Sequence, residues 1–131
     1  VKLIQSLREH LIDKVEHLRT NPDRLIISVD KGQMQWRGSG LSHRQDYVAA
    51  IELDSWPEHL DANHVFVPLL DWYQNHQDPR PANSKSPIRY ETYVLSNGST
   101  TVVIEVDLEE MVVASALPDG SYQFDVCQVG S

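Results

Sequence analysis

The sequence predicts an α+β fold. Apolar residues recur at helical steps near the start and again in the middle. Between and after these segments come β-rich runs with period-two alternation, separated by Gly, Asn, Asp and Pro turn signals. Helix, β-meander, second amphipathic helix and C-terminal hairpins, in that order, describe helices packed against a small antiparallel sheet.

Leu3 to Leu18 forms the first helix. Ile4, Leu7, Leu11, Val15 and Leu18 make its stripe, and Glu9, Lys14 and Glu16 lie off it. "TNPD", Thr20 to Asp23, ends it, because the residue before a proline avoids the helical region. Arg24 to Asp30 is a strand. "DKG" reads as a turn with Gly32 at positive φ, and Gln33 to Arg37 as the return strand. "GSG", Gly38 to Gly40, reverses the chain again.

Leu41 to Leu53 fits two templates. Ser42 and Gln45 have capping-box spacing, but a helix there has a poor apolar stripe. As a strand, it places Leu41, His43, Gln45, Tyr47, Ala49, Ile51 and Leu53 on one face, so the strand is preferred. Asp54 to Asn63 is a loop or short helical turn. Val65 to His76 is the second helix, with Pro68 expected in its first turn, where a missing N–H costs nothing. Asp78 to Pro87, with Pro79, Pro81 and Pro87, is the most loop-like stretch. Ile88 to Leu95 and Thr100 to Leu108 flank "SNGS". A tight two-residue Asn97-Gly98 turn sets Tyr93 opposite Val102 and Glu91 opposite Ile104. Val102, Ile104, Val106 and Leu108 share an apolar face. Met111 to Ala116 and Tyr122 to Val126 flank "PDG" and form a last hairpin. Nothing marks a second domain, so residues 1–131 read as one.

With 19 acidic and 11 basic residues, the chain has a formal net charge of −8. Such a surface repels phosphates and argues against a general nucleic-acid binder. Cys127 stands alone, which excludes an intrachain disulfide framework and suits a reducing compartment; a buried thiol is the favoured reading. "VKLIQSLREH" is too charged for a signal peptide, and no apolar run spans a membrane. A soluble protein made in a cytoplasm is expected.

No constellation for chemistry emerges. Gly38 and Gly40 supply only part of a dinucleotide fingerprint, and no P-loop lysine follows. His59, Asp61 and His64, beside Asp54, are metal-ligand types. The histidines are five apart across a loop, however, where a helical zinc site wants four, so solvated loop histidines are favoured. His10 and His17 read as surface residues near the edge of the first stripe. His43 falls on a strand, and His76 at a helix end, where a cation suits the dipole. No G-x-S-x-G elbow is present. "EVDLEE", Glu105 to Glu110, reads as a strand with a solvated acidic face. Trp36, Trp56 and Trp72 are either core residues or interface anchors. No catalytic, cofactor-binding or metal-binding residue is assigned.

Taken together, several stretches resemble one family. They are "NPDRL" at Asn21 to Leu25, "VDKG" at Val29 to Gly32, "AAIELDSW", "VPLLDWYQNHQ" at Val67 to Gln77, "IRYETYVLSN" at Ile88 to Asn97, and "VVIEVDLEEMVV". Their order and spacing resemble the phage tail completion protein R (GpR) family of contractile-tail bacteriophages, from about Leu7 to Val113. A fainter likeness is to the tail-terminator fold. The resemblance implies a virion (or prophage) morphogenesis protein with no enzymatic activity and no cofactor. It implies that the protein completes the tail and enables head–tail joining. It also implies a homo-oligomer, a hexameric ring matched to the six-fold tail tube, at the head-proximal end of the tail. Implied partners are tail tube or sheath proteins and head–tail connector proteins, with no membrane and no specific nucleic acid. The place of action is the virion tail, after synthesis in the host bacterial cytoplasm. An assembly factor absent from the finished virion is the alternative, and a small metal-dependent hydrolase using His59, Asp61 and His64 is a more distant one.

Overall fold

A computed structural model describes residues 2–77 and 86–127. The fold is α+β: helices cover one face of a five-stranded antiparallel sheet. The elements are α1 (Lys2–Lys14), α2 (Glu16–Thr20), a 3-10 turn (Pro22–Arg24), β1 (Leu25–Gln35), β2 (His43–Trp56), α3 (Asn63–His76), β3 (Ile88–Val94), β4 (Thr100–Ala116) and β5 (Tyr122–Cys127).

The first stripe buries Leu7, Leu11, Val15 and Leu18 as its periodicity requires. The expected single helix is nonetheless broken at Val15, which is extended at φ −112° and ψ 107°. A β-branched residue tolerates that geometry. The Val15 N–H still donates to Leu11 O at 2.9 Å, and Arg19 N returns to Val15 O at 2.9 Å, so the break costs few hydrogen bonds. Arg8 Nη1 donates to Leu25 O at 2.8 Å and ties α1 to the start of the sheet.

The "DKG" turn is absent. β1 runs unbroken through it, and the separate return strand at Gln33 to Arg37 does not form. The pairing with β2 shifts between Val29 and Lys31, so the extra residue, Asp30, is absorbed as a bulge. Gly32 needs no positive φ. A Cβ there would meet Tyr47 Cβ at 3.4 Å, close to an ordinary van der Waals contact. The reversal lies at Gly38 and Gly40, both at positive φ, and β2 is the returning strand.

β2 alternates as expected, with Tyr47, Ala49, Ile51 and Leu53 buried. It extends to Trp56, past the expected loop start, by a second irregularity at Ser55, φ 52°. α3 begins at Asn63, which puts Pro68 in the second turn rather than the first. The carbonyl deprived of its partner belongs to exposed His64, where water can serve it, so the helix continues.

β3 pairs with β4 one residue away from the expected register: Tyr93 opposes Thr101 and Glu91 opposes Val103. The cause is the turn. Leu95 N donates to Ser99 O and Gly98 N to Leu95 O, which closes a three-residue loop with Gly98 at φ 86°. The last hairpin repeats this construction. Leu117 N donates to Ser121 O, Gly120 N to Leu117 O, and Gly120 has φ 89°. Asn97 and Asp119 each accept from the N–H and hydroxyl of the serine two residues on.

β4 is one continuous strand of 17 residues. One edge pairs with β2 from Thr100 to Val112. The other edge takes β3 at Thr100 to Val106 and β5 at Met111 to Ala116. In the gap between them, the Gln77 side chain acts as a strand residue would. Its Oε1 accepts from Glu109 N at 2.9 Å and its Nε2 donates to Glu109 O at 3.2 Å. The loop expected at Asp78 to Pro87 lies, for residues 78–85, outside the described residues. Pro87 O accepts from Asp107 N.

Candidate interaction surface

The helices cover only part of the sheet. Beyond Leu108, β4 carries on past them, and the covered region ends at Glu110 and Val112. Glu110 was expected on a solvated face; it lies instead on the helix side, 1% exposed. α1 has no acid in its own first turn. Glu110 Oε1 supplies one, accepting from Leu3 N at 2.5 Å. Burial, reinforced by the charge of Glu110, raises the Tyr47 hydroxyl above its ordinary pKa. The other acids of that run do lie outward: Arg89 pairs with Asp107 at 3.0 Å and with Glu105 at 3.8 Å.

Two arms project beyond Glu110. The first is the tip of the β1–β2 hairpin, where Met34 is 70% and Trp36 59% exposed, with Leu41 beside them. Trp36 Nε1 donates to Gly40 O at 3.1 Å, so its ring is held across the glycine bend. The second is the β4–β5 hairpin, where Tyr122 is 71% and Phe124 66% exposed, and Val113 and Leu117 are also uncovered. The arms are laced together by β2–β4 pairing and by Ser42, whose Oγ accepts from Ala114 N at 3.0 Å. Large apolar side chains on both faces of a projecting sheet mark an interaction site.

Most of the remaining residues singled out from the sequence lie away from the arms or make contacts within the fold. Trp72 is buried, with its Nε1 on Ser6 Oγ at 3.0 Å and its ring stacked on His76. Trp56 is buried, donating to Leu60 O at 2.8 Å, with His17 edge-on to its ring. His10 was expected at the surface; it joins α1 to α3 through Pro68 O at 3.0 Å. His43 sits on β2, with Nδ1 2.9 Å from Leu41 O. His59, Asp61 and His64 are exposed, and the Asp61 carboxylate receives Asn63 N at 2.8 Å at the start of α3. Among the described residues, no three His, Cys, Asp or Glu side chains group as metal ligands. Cys127, expected buried, is exposed on β5, because the arm has no second layer to cover it. Of the two bends expected in the meander, Gly38 to Gly40 belongs to the arm, and Lys31-Gly32 lies within β1 at its base.

Sequence reasoning missed Phe124, Tyr122 and Met34 as surface groups. Their alternation is that of a half-buried strand, and only the end of the helical layer shows them uncovered. No helix is long and apolar enough to cross a membrane. The sequence profile of one family, P2 phage tail completion protein R (GpR), matches residues 1–128. No curated protein and no solved structure matches the chain.

Proposed function

The chain belongs to the P2 phage tail completion protein R (GpR) family, and on that footing we propose that it is a structural, non-catalytic component of a phage or prophage tail. In this reading it finishes the tail and enables head–tail joining, as a ring at the head-proximal end. A six-membered ring is the simplest match to a six-fold tube. Its neighbours there are tail tube or sheath proteins below and head–tail connector proteins above. The observation that carries the reading is the pair of apolar arms that project beyond the helical layer. Such arms suit docking to neighbouring proteins.

The test is a lysate lacking this protein. It should hold filled heads and separate tails that do not join, and adding the protein back should restore joining. Normal infectious particles in its absence would remove the completion role. Labelling at the baseplate end would remove the proposed location. Mass spectrometry of purified particles separates a virion component from an assembly factor that leaves. Elemental analysis should find no stoichiometric zinc or manganese. About one metal per chain, lost on His64→Ala, would revive a hydrolase.

A further inference from the structure

We infer that the two arms are the two complementary halves of one self-contact: the β4–β5 arm of one copy sits against the β1–β2 arm of the next. The inference rests on the ring reading above and names the surfaces that would build the ring.

Charge is the first observation. In a chain of net charge −8, residues 31–44 carry Lys31, Arg37 and Arg44 and no acid. Arg44 is engaged by Asp46 at 3.1 Å. Among the described residues, Lys31 and Arg37 have no ion-pair partner. Residues 111–127 carry Asp119 and Asp125 and no base. One arm is therefore basic and the other acidic. A symmetric contact of like arms would set Asp125 near Asp125, or Lys31 near Lys31, which repel. The unlike pairing sets acid against base.

Strand direction is the second. β1–β2, β2–β4 and β4–β5 are all antiparallel, so β5 runs opposite to β1. Each is the outer strand of its arm, with its far edge unpaired among the described residues. A second copy in the same orientation would bring its β1 to β5 as an antiparallel neighbour and continue the sheet.

The faces also agree. Phe124 opposes Ala114, and Met34 follows Gln45 onto Glu110, so both lie on the helix side. Asp125 opposes Val113, and Gln35 and Cys127 both lie level with Met111, Gln35 through Arg44, all on the outer side. An antiparallel register that sets Gln35 beside Cys127 brings Arg37 opposite Asp125. A continued sheet thus matches apolar with apolar on one face and acid with base on the other. A contact between unlike patches is heterologous, and it closes into a ring when the rotation permits.

The experiment uses reciprocal charge reversal on the full chain. One variant carries Lys31→Glu and Arg37→Glu. The other carries Gln123→Lys and Asp125→Lys, with Asp119 kept because it holds its turn. Sedimentation should show wild-type oligomers in low salt that disperse as salt rises. Each variant alone should be monomeric, and an equal mixture should associate again, which also demonstrates that both are folded. A second measurement uses the native Cys127 with Gln35→Cys. Oxidation should give a ladder beyond dimers, and adding Cys127→Ser should abolish it. A wild-type chain that stays monomeric at about 1 mM, a mixture that stays monomeric, or a ladder that stops at dimers would each overturn the inference. If these fail while add-back still restores joining, the contact is wrong and tail completion stands. If association holds and joining fails, the reverse is true.

Discussion

The two halves of β4 follow the same alternation and have opposite fates. From Val102 to Leu108, every second residue is buried under α1 and α3 between β2 and β3. From Met111 to Ala116, the strand keeps β5 but loses β2 after Val112 and loses its cover, and Val113 is exposed. Strand pairing persists into the outer half on the β5 edge, whereas burial does not. Apolar burial is the dominant favourable term in folding. The covered half therefore holds the stability, and the uncovered half is free to spend its side chains on another surface.

Aromatic truncation offers the widest contrast. Trp72→Ala in the covered half should cost about 3–5 kcal/mol in chemical denaturation. Phe124→Ala in the arm should stay within about 0.5 kcal/mol yet impair joining in the add-back assay. Equal stability losses at the two sites would show that the arm is part of the core.

The boundary between the halves comes next. Glu110→Ala removes the acceptor for Leu3 N and should cost about 1–3 kcal/mol, with Glu110→Gln losing less. An unchanged midpoint for Glu110→Ala would mean that the carboxylate does not hold α1 to β4.

The twin turns then separate local strain from global effect. Gly98 and Gly120 share a positive φ in loops of the same design, so valine at either should strain the backbone by roughly 1–2 kcal/mol. Gly98→Val should lower the global midpoint. Gly120→Val should mainly fray β5, seen as faster amide exchange there with little change in the midpoint. A matching global loss for both would erase the distinction between the halves.

The smallest effect concerns pH. Tyr47 has a folded pKa above its ordinary value of 10.0. Above about pH 10, the unfolded chain releases this proton while the native chain keeps it, so stability falls as pH rises. The contribution is complete below that pH. Tyr47→Phe should flatten the alkaline slope, and an unchanged slope would assign it to other groups.

Much of the covered half was legible from the residues. The stripe from Leu7 to Leu18 and the alternation of Tyr47 to Leu53 are periodic signals, and burial obeys them. Turn chemistry was less exact. Gly32 looks like a turn residue, but an edge strand can swallow the same residues as a bulge. Asn97-Gly98 suits a two-residue or a three-residue loop, and the choice shifts every pair in the hairpin. Glu110 was illegible because a buried acid amid exposed ones has no local mark; its partner, Leu3, lies far away in sequence. The family was legible in the order of its segments, and the profile match extends it to residues 1–128. The uncovered arm was not, since nothing in "YQFDVC" says where the helical layer stops.

Gln77 has a consequence for how the edge of β4 meets solvent. A lone side-chain amide, not a neighbouring strand, holds the Glu109 N–H. That proton's exchange with heavy water is therefore governed by how often the C-terminal turn of α3 lifts away. It reports on a helix while belonging to a sheet, and Gln77→Ala should make it the fastest-exchanging amide in the middle of β4.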